Sequence, residues 1–268
     1  MNLEANASRV AQIYNSPLIV SEHFKMSADD QGKYYNPKFY RELASAQESA
    51  REVLPLVLDV VKPKSVIDIG CGTGHWLAIA HELGVPEILG VDGSWVSAQL
   101  AIAKEKFLQH DLSTPLKLDH RFDLALSLEV AEHLPASAAR TLVRSLCDAA
   151  DVIVFSAAIP GQGGRRHVNE QWPAYWAELF ADLRYHCYDF LRPKIWNNPC
   201  VTWHYAQNSL IFAREGFSHR LGEPTTPLPL VHPILWSSQV ARMKNPGKLL
   251  ESLPKAILAS IKLKKTQP

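Results

Sequence analysis

Apolar positions fall into two alternating rhythms between residues 65 and 158. SVIDIG (65–70), EILGVD (87–92), KFLQHDL (106–112), FDLALSLEV (122–130) and DVIVFSAA (151–158) are short apolar runs of the buried-strand kind. Between them, GHWLAIAHELG (74–84), SWVSAQLAIAK (94–104) and PASAARTLVRSLCDAA (135–150) repeat apolar residues at helical spacing. Gly84 is placed to stop the first helix and Pro135 to open the last. Upstream, RELASAQESAREVLPLVLDVV (41–61) reads as a helix that Pro55 is set to kink or split and Pro63 to end. This alternation predicts an α/β fold with a parallel sheet covered on both faces. Right-handed crossovers then bring the strand C-termini to one edge, where ligands bind.

The rhythm changes after residue 158. PGQGGRRHVNEQWP (160–173) is a polar, glycine-rich loop, and WPAYWAELFADL (172–183) is a helix. YHCYDFL (185–191) and YAQNSLIFARE (205–215) read as two further strands, expected to be antiparallel. Beyond 216 lie seven of the eighteen prolines. Three parts result: residues 1–62, an N-terminal cap and lead-in helix; 63–215, the core; and 216–268, a proline-rich and basic C-terminal extension. Within the extension, residues 241–265 hold seven Lys and Arg against Glu251. Leu250, Leu253, Ile257 and Ile261 share a helical face opposite Lys248, Lys255 and Lys262. After Pro254 a helix is expected that either lies on an anionic membrane surface or docks onto its own domain or a second subunit.

Composition narrows the classes. A hydrophobic fraction of 47% supports a sizeable core, and a net charge of +1 lacks the basic excess of a nucleic-acid coat. The four cysteines form no C-x-x-C pair, which points to reduced thiols in a cytoplasmic protein. No run of about 20 apolar residues spans a membrane, and MNLEANASRV has no secretory signal. The expected location is cytoplasmic; peripheral contact at the inner face of the membrane through residues 241–265 is one of the two readings of the tail.

The sharpest motif is Asp68-Ile69-Gly70-Cys71-Gly72-Thr73-Gly74, at the junction of the first strand and first helix. Glycine permits the turn and a close approach of backbone to ligand, and the helix N-terminus suits an anion. A dinucleotide fingerprint requires glycine at 75, where His75 stands. Asp92 ends the second strand, 24 residues after Asp68, where an acid can accept both ribose hydroxyls. His110-Asp111-Leu112 ends the third. In this combination the chain resembles the class I S-adenosyl-methionine-dependent methyltransferases over residues 64–215. The resemblance implies a Rossmann-like, doubly wound, seven-stranded, mostly parallel sheet with an antiparallel final strand. It implies a cofactor site of Asp68, Gly70, Gly72, Gly74, Asp92, Gly93, Asp111, Leu112 and Glu129. Asp111 would accept from the adenine amino group and Leu112 would line the base, or Asp111 would only cap a turn.

The fourth strand runs into Glu129-Val130-Ala131-Glu132-His133. An E-x-x-E-H of this kind resembles two subsets of the class. These are the small-RNA 3'-terminal 2'-O-methyltransferases and the ubiquinone-biosynthesis O-methyltransferases, where such residues hold a divalent metal. In the RNA enzymes a histidine after the fifth strand joins them; here that loop offers His167. By resemblance the ligand set is Glu129, Glu132, His133 and His167, suited to magnesium or manganese. The other reading has Glu129 touching cofactor, Glu132 capping or pairing, and His133 or His167 acting alone as catalytic base. HVNEQWPAYW, with the later IW and QN segments, resembles methyltransferases of bacterial surface-polysaccharide gene sets. Ten of 24 aromatics lie between 172 and 205. Trp172, Trp176 and Phe180, at helical spacing, read as core, with a stacking wall for a sugar ring as the other use.

The expected function is an S-adenosyl-methionine-dependent O-methyltransferase acting on a saccharide or glycoconjugate hydroxyl. Methylation of an RNA 3'-end ribose is one rival, against which the neutral net charge counts. A non-catalytic cofactor-binding scaffold recruited to membrane is the other.

Overall fold

The computed structural model describes residues 37–96, 100–217 and 219–247. The lead-in segment before residue 37 and the amphipathic tail after 247 lie outside the described residues. Helix α1 (Pro37–Val61) runs through Pro55 unbroken. A mid-helix proline costs about 3 kcal/mol. Here Ala50, Val53, Leu54 and Val57 are wholly buried on one face, and that packing holds the helix together while Pro55 faces solvent.

The core elements follow as β1 (Ser65–Ile69), α2 (His75–Glu82), β2 (Glu87–Asp92), β3 (Phe107–Gln109) and β4 (Leu124–Leu128). Then come α3 (Ala139–Ala149), β5 (Val152–Ser156), α4 (Pro173–Ala181), β6 (Tyr185–Tyr188) and α5 (Arg192–Ile195). The last are α6 (Trp203–Asn208), β7 (Leu210–Arg214) and α7 (Pro233–Met243). The seven strands form one sheet in the order β3-β2-β1-β4-β5-β7-β6. The first five are parallel, and β7 is antiparallel to both β5 and β6. Every residue of β1, β4 and β5 is buried, as expected of strands covered on both faces. One face packs Val66, Leu77, Leu124 and Ile211; the other packs Ile67, Phe155, Phe180 and Phe212. Strand order reverses between β1 and β4, which opens a crevice at their C-terminal ends.

Two sequence expectations are corrected. The segment expected as one strand over 205–215 begins as the helix α6, and only Leu210–Arg214 is strand. The segment 94–104 is no α-helix among its described residues: a 3-10 turn covers Ser94–Val96, and Ala101 N–H donates to Thr73 O at 2.7 Å. Ile102 is drawn in against Gly74 and Gly90, beside the bond from Ala101 to the glycine loop. Of the spaced aromatics, Trp176 and Phe180 are core, whereas Trp172 is 39% exposed.

Candidate active site

The crevice has a cofactor half and an acceptor half. In the first, the chain leaves β1 and turns at once, with Gly70 and Cys71 N–H both donating to Val91 O, at 2.8 and 3.2 Å. Gly70 has φ +95°, and a Cβ there would lie 2.3 Å from Val130, so no other residue fits. Gly72, at the tip, has nothing within 4 Å of the place a side chain would begin. Gly74 precedes α2 in the left-handed conformation.

Asp92 organises this loop. Its Oδ2 accepts the Gly72 N–H at 2.7 Å and its Oδ1 accepts the Gly93 N–H at 2.7 Å. Burial raises its pKa, and the two N–H donors work against that rise. Asp68 is 2% exposed, and its Oδ1 has no hydrogen-bond partner. Burial first, and the Asp92 charge second, push its pKa well above the usual carboxylate range. Asp111 is exposed, and its Oδ1 accepts from the Ser113 N–H at 2.9 Å and hydroxyl at 2.7 Å. It therefore caps a turn, and Leu112 beneath it packs into the core. An open glycine tip beside a buried, unpartnered carboxyl oxygen fits a ligand that carries positive charge, as the sulfonium and ammonium groups of S-adenosyl-methionine do.

In the acceptor half, Glu129 has φ +56°, held by its N–H, which donates to the Ser156 carbonyl and hydroxyl at 3.0 Å each. Its carboxylate accepts from Gln162 Nε2 at 2.9 Å and Asn208 Nδ2 at 3.0 Å. Gln162 Oε1 in turn accepts from Asn208 at 2.9 Å and Gln207 at 3.2 Å. Glu129 thus belongs to a network of side-chain amides.

Glu132 is completely buried, and its carboxyl lies near the N–H groups of Glu132 and Ala158 and the Glu129 carboxyl without a well-formed hydrogen bond to any of them. Burial, with Glu129 alongside, pushes its pKa up to about 9. The Glu132 carbonyl accepts from the N–H groups of Val168 (2.8 Å) and Asn169 (3.1 Å), which ties the turn after β4 to the loop after β5. His133 and His167 meet edge to face, with ring centroids 4.9 Å apart. Burial, then the neighbouring His167, lowers the His133 pKa. One ligand atom from each of Glu132, His133 and His167 lies within 4.8 Å of the others. Glu129 is not part of that trio.

His167 is positioned by its loop. Its Nδ1 lies 2.9 Å from Glu170 Oε1, and Glu170 also accepts the N–H groups of Gly161 and Gly163 at 2.8 Å each. A Cβ at Gly164 would fall 2.0 Å from His167 Nε2, so the ring lies flush on that glycine. Tyr205, edge to face with Trp76 at 5.1 Å, stands between the two halves. Burial raises its pKa, as do the charges of Glu129, Asp68 and Glu132. The sequence assigned no role to Glu170 or Gln162, quoted Gln207 and Asn208 only within the QN segment, and counted Tyr205 only among the aromatics of a stacking wall. The H-x-x-E spacing of His167 and Glu170 was the local signal for the first of these.

Sheet order, glycine loop and strand-end acids together define the class I, Rossmann-like methyltransferase architecture. The model of the methyltransferase domain family matches residues 40–191, more than half of the chain, and the protein belongs to that family. It is an S-adenosyl-methionine-dependent methyltransferase. A search of curated proteins gave no match. Among solved structures, the chain is similar to the sugar N-methyltransferase KedS8 from Streptoalloteichus sp. ATCC 53650, with 15% identity and TM-score 0.50, covering 75% of this chain and 97% of that one. A protein of Nostoc punctiforme PCC 73102, assigned provisionally as an O-methyltransferase, has 13% identity and TM-score 0.51, covering 78% and 68%. Human N-acetylserotonin methyltransferase, in complex with S-adenosyl-methionine, has 14% identity and TM-score 0.46. The match covers 71% of this chain and only 60% of the human one.

Proposed function

We propose that the protein methylates a hydroxyl of a saccharide or glycoconjugate, with a divalent metal held by Glu132, His133 and His167. The observation that carries this reading is the trio itself: two imidazoles around a wholly buried carboxyl. A buried carboxyl of that kind favours the protonated form unless a cation replaces the proton. Oxygen and nitrogen donors suit magnesium or manganese, which when bound would acidify an alcohol and orient two neighbouring hydroxyls. S-adenosyl-methionine supplies an electrophilic methyl group.

The remaining chemistry belongs to the chain. Asp92, with its oxygens aimed by Gly72 and Gly93, accepts from ribose hydroxyls. The amide wall of Gln162 and Asn208 holds Glu129 beside the acceptor. The acceptor oxygen attacks the methyl carbon as the carbon–sulfur bond breaks, and S-adenosyl-homocysteine leaves. Its proton passes to solvent, because both histidines of the trio would have their lone pairs on the metal. Glu170 fixes the His167 tautomer by holding Nδ1–H, which leaves the Nε2 lone pair to hold the metal. Rate comes mainly from holding oxygen and methyl in line. A saccharide acceptor is supported by the polar wall, by paired hydroxyls as natural metal ligands, and by the sugar substrate named for KedS8.

The test is methyl transfer to a panel of monosaccharides, nucleotide sugars, lipid-linked glycans and a short RNA duplex, with and without chelator. The expected result is transfer to a saccharide hydroxyl that chelator abolishes and magnesium or manganese restores. Turnover of the RNA duplex alone would replace the saccharide reading.

A further inference from the structure

The segment leading into α7 is fixed by its backbone and open by its side chains. Thr225 N–H donates to Cys187 O at 2.8 Å, Arg192 Nη1 to Leu228 O at 2.9 Å, and His232 N–H to Gln207 Oε1 at 2.8 Å. Leu228 and Val231 are nonetheless 60% and 41% exposed. Helix α7 repeats the pattern. Leu235 is buried, Gln239 Nε2 donates to Gly161 O, and Arg242 lies 3.6 Å from where a Gly163 side chain would begin. Through Gln239 and Arg242 that side of the helix meets the loop that carries His167. Beside it runs Trp236, Val240 and Met243, at i, i+4 and i+7, with Trp236 61% and Met243 60% exposed. Large apolar side chains held outward by an ordered backbone mark a contact surface.

Charge selects the partner. Residues 224–247 contain Arg242 and Lys244 and no acid, and residues 248–265 add five lysines against Glu251. The loop under α7 exposes Arg165, Arg166 and Val168. A second copy seated symmetrically on this face would bring Arg166, Arg242 and Lys244 near their own equivalents, with Glu223 and Glu178 only at its far edge. A tryptophan-bearing apolar stripe bordered by cations suits the boundary of an anionic bilayer.

We infer that α7 and the segment before it seat the protein on an anionic lipid surface, with Trp236 and Met243 at the headgroup–acyl boundary and Lys244 at phosphate level. Gly161 and Gly163 are held through Glu170 to His167. The seated face therefore adjoins the acceptor half of the site, and an acceptor carried by a membrane lipid would reach it from that side.

The experiment is co-sedimentation of the full chain, at low salt, with vesicles of equal parts phosphatidylcholine and phosphatidylglycerol, against vesicles of phosphatidylcholine alone. Binding is expected to the anionic vesicles only. Trp236→Ser combined with Met243→Ser should lower partition by about tenfold or more, from the apolar area withdrawn. Lys244→Glu should weaken it as well. Cofactor affinity by calorimetry should stay unchanged in all variants, which reports that they fold. Sedimentation at background level would overturn the inference. So would a double variant that binds like the parent, because the tail beyond 247 would then suffice. Light scattering that shows a parent dimer made monomeric by the double variant, without vesicle binding, would assign the face to a second copy. None of these readouts depends on methyl transfer, so they stand or fall apart from the proposed reaction.

Discussion

Asp92 reaches back across 20 residues to hold the N–H of Gly72 at 2.7 Å, so the acid at the end of the second strand also fixes the tip of the first glycine loop. Replacing it therefore has two effects. Asp92→Ala withdraws the oxygens proposed to accept from the ribose hydroxyls and leaves the Gly72 and Gly93 N–H groups without their partner. Cofactor affinity should fall by ~1.5–3 kcal/mol, the scale of hydrogen bonds to a charged group, or about tenfold to a hundredfold. Calorimetry with S-adenosyl-methionine measures this, and an unchanged affinity would remove Asp92 from the site.

Asp68 should show a conflict between stability and binding. Its folded pKa is raised, so the folded protein holds the proton more tightly than the unfolded chain does. Stability from this group is then lost as pH climbs from the ordinary carboxylate range towards the raised folded value, and stays lost above it. Asp68→Asn removes that loss. Without cofactor, the variant should be more stable than the parent at neutral and alkaline pH, with the gap closing in acid. Its cofactor affinity should be lower. Denaturant titrations at several pH values read the first effect, and a gap of constant size at all pH would contradict the assigned cause.

The histidine–carboxylate trio gives a pattern of losses rather than one loss. Glu132→Ala and His167→Ala should each be nearly inactive while cofactor binding persists, and chelator should silence the parent enzyme. A lone histidine base predicts otherwise: chelator without effect, and a severe defect at one histidine only. Elemental analysis alongside the activity assay separates the two.

Glu170 never needs to touch a substrate to matter. Glu170→Gln would turn an amide NH2 toward Gly161 N–H, Gly163 N–H or His167 Nδ1, where a carboxylate now accepts. Metal affinity or activity should drop about 10–100-fold, the usual cost of losing an orienting carboxylate behind a metal-bound histidine. Competition with a chromogenic chelator measures the affinity directly. An unaltered value would make the contact a matter of loop structure alone.

Much of the parallel core was legible in the sequence because its strands are buried on both faces. SVIDI and EILGVD read as strands, and their ends put Asp68 and Asp92 where an α/β crevice needs them. Apolar periodicity reports burial, however, and not the destination of backbone hydrogen bonds. That is why 94–104 read as a helix although Ala101 bonds to Thr73, and why α6 was absorbed into a strand. The acceptor side was harder still. His133 and His167 stood out as chemistry, but Gln162, Gln207 and Asn208 acquire meaning only from one another, 45 residues apart along the chain. Helix α7 left a single cue, Pro233 after a histidine whose Nδ1 accepts the Ile234 N–H.

Gln207 gives one side-chain amide two duties: its Nε2 serves Gln162 and Asn208, and its Oε1 accepts the backbone N–H of His232. The acceptor wall therefore cannot be exchanged loop by loop. A graft meant to give this scaffold a new acceptor preference would have to carry the glycine-rich loop, the Gln-Asn pair and the entry to α7 as one unit. The cofactor half, built from strand ends on the other side of the crevice, could be left as it is.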